Sequence, residues 1–393
     1  MSSCSSSGEG FLTGPGTGVP PPPVARKLPA VPRLRVALVA LVAAVVAGAT
    51  GCGPAAGPGL PATGPASPGT GGRPAATRTD VPEPATAPPV TRPPAGTVRP
   101  LPGEPEGLAV DAAGAILAAG VRAPDGVALV DTSTGREVKV VRLAGAPRHL
   151  ALAGPAGPLL VPLEQTGQLV QLSLPAGRIA ASTWVGRQPH DAAAAGPLVF
   201  VGNEYSNTVS LVRAGRQVAV LPGPLQPGGV AAAPDGSSVV VVGVRGRRIE
   251  AYTAGGRALG TAPAGVGPTH VAAGTGGLFY VADTEGGAVL VYTVSSDGPR
   301  LLGRVATRPG TPYGIAVDTR RNLLYVTLTA TNELESFRIS GRTLAPAEVW
   351  PAVRQPNSVA VDEATGRVFV ASRTDNQLEL IDPGTPGASA PPG

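Results

Sequence analysis

Residues 312–340 read PYGIAVDTRRNLLYVTLTATNELESFRIS, and the stretch holds three short strands in succession. Gly314–Asp318 carries the apolar pair Ile315 and Val317, Leu323–Thr327 (LLYVT) follows a polar turn, and Leu334–Ile339 alternates charged and apolar residues after Thr331-Asn332. Short runs rich in β-branched and aromatic residues and bounded by turn formers are strand signals.

The same pattern occurs seven times. An opening Pro ahead of an apolar-Ala pair starts copies at Pro105 (PEGLAVD), Pro147 (PRHLALA), Pro189 (PHDAAAA), Pro227 (PGGVAAA), Pro268 (PTHVAAG), Pro312 (PYGIAVD) and Pro356 (PNSVAVD). Successive starts lie 42, 42, 38, 41, 44 and 44 residues apart. A period of about 40–45 residues with about four strands per unit is that of a β-propeller blade. One small sheet cannot bury both of its faces, so the copies must stack. A closed ring then leaves only short, protected edges.

The second strand is the most apolar in each copy (ILAAGV, LLVPL, LVFVG, VVVVGV, LFYVA, LLYVT, VFVAS), as expected of strands covered on both faces. Third strands such as TVSLVR, LESFRI and LELID alternate better, which places them nearer the rim. The last copy stops at Asp382-Pro383 with no fourth strand, and Thr97–Pro102 (TVRPLP) precedes the first. The expected fold is therefore all-β, a seven-bladed propeller over 97–383 whose N-terminal strand closes the ring.

VFVGNEYSNTVSLV in the third copy, LYVTLTATNELESF in the sixth and VFVASRTDNQLELID in the seventh resemble the YVTN-type β-propeller repeat. The resemblance spans about residues 97–383 and implies a rigid ring that presents variable loops. Fold alone does not set function. Relatives implied by the resemblance include lactonases and an antibiotic-opening lyase, so an enzyme using His149, His190 or His270 as general acid or base is the alternative to a binding platform. A Gly-His…Trp-Asp signature is missing, which disfavours a WD-repeat reading.

Ahead of the repeats, Arg26, Lys27, Arg33 and Arg35 precede the apolar run Val36–Ala49. That run is shorter than the ~20 residues of a membrane span. A basic segment, a short apolar stretch and small residues describe a secretory signal over 1–51. Ala49-Thr50-Gly51-Cys52 resembles the bacterial lipobox, which implies lipidation of Cys52 and anchoring to the outer face of the cytoplasmic membrane. Residues 52–96, rich in Pro, Ala, Gly and Thr, read as a disordered tether, and 384–393 as a disordered tail. Cys4 and Cys52 are the only cysteines, so the exported domain has no disulfide and must rely on its core.

The net charge of +5 resides ahead of the repeats. From Glu104 onward there are 23 basic and 23 acidic residues, and only 3% of the chain is aromatic. A nucleic-acid partner is therefore not expected, since it needs a basic footprint and stacking aromatics. Arg245–Arg248 (RGRR) reads as a solvated turn.

In a propeller the links into the first strands open on the same face as those between second and third strands. All three histidines of the chain, His149, His190 and His270, fall in the opening Pro turns, beside Arg148, Asp191, Tyr313 and Asn357. The outer links add Glu164, Asn203, Glu204, Tyr205, Asp283, Glu285, Asn332, Arg373 and Asp375. Three readings are open: histidines as turn fillers, a pocket for a small polar ligand or peptide, or a three-His metal site. The ligand-binding set is His149, His190, His270, Arg148, Asp191, Tyr313, Asn357, Glu204 and Arg373, with a small polar ligand or a cell-envelope protein as partner. No catalytic residue, metal ligand or cofactor is assigned, because no Gly-x-Ser-x-Gly elbow, Walker loop or Cys pair with zinc spacing occurs.

Overall fold

The computed structural model describes residues 81–155 and 157–384. The second strand of every repeat is buried along nearly its whole length, from Ile116–Arg122 in the first to Val368–Ser372 in the last. Each lies inside a four-stranded antiparallel sheet, and seven such sheets form. The first strands (Glu104–Asp111, Ala151–Leu152, Pro189–Ala195, Pro227–Ala232, Pro268–Ala273, Pro312–Asp318 and Pro356–Val361) touch one another in chain order, and the last returns against the first. The molecule is a seven-bladed β-propeller, with no helix among the described residues.

The core consists of the seams between blades. Leu117, Ala119 and Ala128 of blade one pack against Phe369, Ala371 and Leu378 of blade seven, and Ala118 and Leu129 face Leu159 and Val161 of blade two. Tyrosines fasten some seams: the Tyr252 hydroxyl donates to the Pro222 carbonyl at 3.2 Å, and the Tyr292 hydroxyl to Pro263 at 2.6 Å. Third strands are nearly as buried as the second, contrary to the expectation from their alternation. The rim belongs to the fourth strands, of which Arg216–Pro222 alternates between exposed and half-buried. Polar residues in the third strands instead find buried partners, as Ser210 does in donating to the carbonyl of Val185, in the link between blades two and three, at 2.6 Å.

Turn chemistry explains the recurring polar residues. Asn207, Asn332 and Asn376 adopt left-handed φ values of 53°, 57° and 53° where the chain enters a third strand, a conformation that short amide side chains tolerate. Asn207 and Asn332 also accept the backbone N–H of Gln226 and Gln355, one residue ahead of the next blade's opening Pro. The recurring acids act within their own turns: Asp318 accepts from Arg321 N, Asp362 from Ala364 N and Asp235 from Ser237 N. Arg247 of the RGRR cluster is not merely solvated, because it pairs with Glu285 of the next blade at 3.2 Å.

Thr97–Pro100 pairs antiparallel with Gln377–Ile381, in register from Thr97 opposite Leu380 to Pro100 opposite Gln377. The stretch ahead of it departs from the tether expectation. Residues 81–96 have no regular structure yet lie against the ring. Val81 packs on the seam of blades four and five, Ala85 N donates to Thr329 Oγ1, and Ala87 is buried. Arg354 donates to the Ala87 carbonyl, and Arg92 pairs with Glu333 at 2.9 Å. Gly96 N and Val353 N both donate to Glu379, at 2.8 and 2.9 Å. Composition could not reveal this, because the strap is held by backbone groups and small side chains, not by an apolar run. The signal-type segment 1–51, Cys52, the tether up to residue 80 and the tail from residue 385 lie outside the described residues.

Candidate functional site at one end of the channel

The opening Pro of each repeat sets up a β-bulge. In six blades the pairing of first and second strands slips just after the Pro, between Pro105 and Leu108, Pro189 and Asp191, Pro227 and Val230, Pro268 and Val271, Pro312 and Ile315, and Pro356 and Ser358. A bulge leaves residues out of the ladder and re-aims their side chains. Glu106, His190, His270, Tyr313 and Asn357 occupy these slips. In blade two the strand itself is reduced to Ala151–Leu152 after an isolated Pro147–Leu163 bridge, which leaves Arg148 and His149 free of ladder constraints.

The three histidines meet. His149 Nε2 and His270 Nε2 stand 3.0 Å apart, and the His149 ring centroid is 4.8 Å from that of His190. His270 Nδ1 lies 3.0 Å from the Tyr313 carbonyl oxygen, and the Tyr313 ring packs edge-on against His270 at 4.4 Å. His190 Nδ1 faces Glu204 Oε1 at 3.0 Å and Glu164 Oε1 at 3.8 Å; the closer contact is bent, not a linear hydrogen bond.

A charge network surrounds this cluster. Glu106 meets Arg122 at 3.3 Å, Arg148 at 3.8 Å and Arg373 at 2.7 Å. Arg122 also holds Glu164 at 2.6 Å, and Arg373 reaches Glu104 at 3.1 Å. The strap adds Glu83, whose carboxyl is raised by burial against the lowering pull of Arg148, while Glu204 lies close enough to raise it further.

A cavity of about 770 Å³ runs from the histidines along the channel. Leu108, Ala193, Val230, Ala231, Ile315 and Val359 form its apolar walls, and His149, Asp191, His270 and Asn357 are polar groups on its lining. Its far end reaches Pro155, Gly196 and Gly236, in links between first and second strands. The space therefore extends away from the Pro-turn face, whereas the sequence placed an open pocket on that face. There the His190, His270 and Tyr313 side chains are buried.

All nine residues chosen from sequence lie in or beside this cluster, though not for one purpose. Asp191 turns into the cavity wall, where its carboxylate accepts the Ala192 and Val230 N–H groups, each at 2.8 Å. Asn357 donates to the Pro105 carbonyl and accepts from Arg373 N, so it ties the turns of blades seven and one. Among the outer-link residues, Asn203 serves Thr208 and Ser210, and Asp283 accepts from Val266 N and Gly267 N. These two are turn holders. Glu106, Arg122 and Glu83 escaped the sequence reading. Glu106 follows the opening Pro105 as His190 follows Pro189, so the repeat alignment itself could have singled it out. Glu83 had no such signal.

Burial keeps His149 and His270 neutral. His270 is pushed down to about 3, and His149 well below its ordinary value, by desolvation first and then by neighbouring positive groups. Below pH ~6.5 the unfolded chain binds protons that these folded rings refuse. Their contribution to stability is thus fully present above that pH and declines as pH falls toward 3. Asp191, raised to about 6 by burial, acts oppositely: its contribution is present near pH 4 and lost as pH rises through 6. In chelator-treated protein, the urea midpoint of the wild type is expected to fall between pH 6.5 and 4 more steeply than that of His270→Gln. Parallel curves would contradict the burial of a neutral ring.

No family model matches the chain, and no curated protein does either. Among solved structures, the chain is similar to one from Kuenenia stuttgartiensis hydrazine synthase, with a TM-score of 0.61 and 17% identity over 72% of this chain and 96% of that one. It is also similar to a chain of the mitotic checkpoint complex, with a TM-score of 0.63 and 14% identity over 79% of this chain and 98% of the other. The likeness is one of fold. At such identities neither chemistry nor partners carry over.

Proposed function

We propose that this protein is a member of the YVTN-type propellers, exported and anchored by lipidated Cys52, that works as a binding platform and takes a small ligand into its channel. The cavity carries this reading: apolar walls for a hydrophobic body, with the polar groups His149, His270, Asp191 and Asn357 to orient a polar head. Asp191, the acid on the cavity wall, accepts two backbone N–H groups and so holds the wall in place. Pairing of Thr97–Pro100 with the last blade supports the proposal that this strand staples the two ends of the ring.

Two experiments test the proposal. Native mass spectrometry of the full chain against small amphiphilic carboxylates, phosphates and amines is expected to yield a one-to-one adduct that raises Tm. At a ligand concentration a hundredfold above Kd the stabilisation is about 2.7 kcal/mol. Ala231→Trp, which fills the cavity, should abolish the adduct; an adduct that survives in this variant, or none across the panel, overturns the cavity reading. For the anchor, wild-type protein expressed in a bacterium should incorporate a clickable palmitate analogue and fractionate with membranes. Cys52→Ser should do neither, and unchanged labelling removes the lipidation claim.

A further inference from the structure

We infer that His149, His190 and His270 form a binding site for a divalent transition-metal ion of the zinc type, at the inner end of the channel. Their candidate ligand nitrogens all lie within 4.8 Å of one another. The chain has 393 residues and three histidines, and it brings all three together from blades two, three and five. Coincidence of turn fillers does not account for that convergence.

Proton placement makes the stronger argument. A carbonyl oxygen only accepts, so the 3.0 Å contact of His270 Nδ1 with the Tyr313 carbonyl puts the ring proton on Nδ1 and leaves Nε2 a bare lone pair. His190 Nδ1 faces the carboxylates of Glu204 and Glu164, the nearer at 3.0 Å in a bent contact. His270 therefore turns an unprotonated Nε2 away from the oxygen partner behind it, and His190 has carboxylates on its Nδ1 side. This is the arrangement in which metal-ligating histidines are found, with the outer nitrogen held by a carboxylate or carbonyl. His149 Nε2 lies 3.0 Å from the Nε2 of His270 and, without an ion, donates to it, a proton that metal binding would release. A tetrahedral ion bound at ~2.0–2.1 Å separates its nitrogens by about 3.3 Å, so the His149–His270 pair opens slightly while His190 closes in from as far as 4.8 Å.

The surroundings suit a dication. Glu83, Glu104, Glu106, Glu164 and Glu204 stand near Arg122, Arg148 and Arg373, an excess of two carboxylates over guanidiniums. Imidazoles without thiolates suit Zn(II), and three protein ligands leave a position for an outside donor. His149 and His270 line the cavity, so that donor can come from whatever occupies it. A second arrangement, Glu164, His190 and Glu204, also brings three ligand atoms together. It is less suited, because Glu164 is held by Arg122 at 2.6 Å and Glu204 accepts from Gln188 at 2.9 Å.

The test uses the full chain, stripped with chelator and titrated with Zn²⁺ by calorimetry at pH 7.5. One equivalent is expected to bind and to raise Tm. His149→Ala and His270→Ala should each weaken binding at least a hundredfold, and Glu204→Gln by about 10–100-fold as the loss of an outer-shell partner. Circular dichroism and Tm of the metal-free variants establish that they fold. If they do not, Co²⁺ added to the wild type decides: tetrahedral visible bands without thiolate charge transfer support the site. Several results overturn it: no stoichiometric uptake, His variants that bind like the wild type, octahedral Co²⁺ bands, or thiolate charge transfer from Cys4 or Cys52. Loss of binding confined to the Glu164→Gln and Glu204→Gln variants would do the same.

Discussion

Trp350→Ala is expected to destabilise the propeller by about 3–5 kcal/mol, whereas Trp184→Ala shifts it by no more than about 0.5 kcal/mol. Both tryptophans sit in fourth strands. The structure separates them: Trp350 is 1% exposed and Trp184 61%. Trp350 belongs to the seam of blades six and seven, among Leu334, Val353, Val359, Val368 and Ile381, with Tyr325 at 6.2 Å between ring centroids. Its Nε1 has no acceptor among the described residues, so the expected loss is packing and the cavity left behind. Urea unfolding of the two variants, followed by circular dichroism, checks this. Equal destabilisation would mean that the seam does not close as described.

The second large effect is expected at Glu106. Its side chain is 6% exposed and meets Arg122, Arg148 and Arg373. Glu106→Ala leaves the mostly buried Arg122 and Arg148 with Glu164 as their remaining ion-pair partner, while Glu204 and Glu83 act on Arg148 from farther off. Breaking a buried pair from one side costs about 3–5 kcal/mol. Two controls sharpen the test. Glu104→Ala removes a half-exposed partner of Arg373 and should cost at most about 1 kcal/mol. The double variant Glu106→Met with Arg122→Met removes both charges and should recover part of the loss, since apolar replacement of a buried pair is often neutral or better. If Glu106→Ala proves as mild as Glu104→Ala, the network is solvated and the turn face is not closed by charge.

Much of the architecture was legible along the chain. Strand periodicity, Pro-led turns and a near-constant repeat are local features, and stacking such units admits few arrangements. The all-apolar second strands could be identified because they are covered on both sides, which removes alternation. Third strands misled for the converse reason. Gln171, Ser210 and Glu335 look outward-facing by residue type, yet each lies in a third strand where neighbouring blades leave little solvent. The order of residues 81–96 was hidden because proline and alanine contribute backbone acceptors and small contacts that no hydropathy pattern records. The direction of the cavity was hidden as well. Which end of a channel is blocked depends on the size of side chains converging from different blades.

By itself the sequence determined that seven similar sheets would form and that three histidines would share one end of the ring. Both follow from interactions within about 40 residues, where turn chemistry and the period of two act directly. Only the tertiary structure decided that His149 and His270, 121 residues apart, stand in contact, that a strap crosses beside them, and that the open space lies beneath. Those outcomes depend on how far the ring draws its first strands together and on where each bulge aims its side chain. No local pattern specifies a distance across the axis.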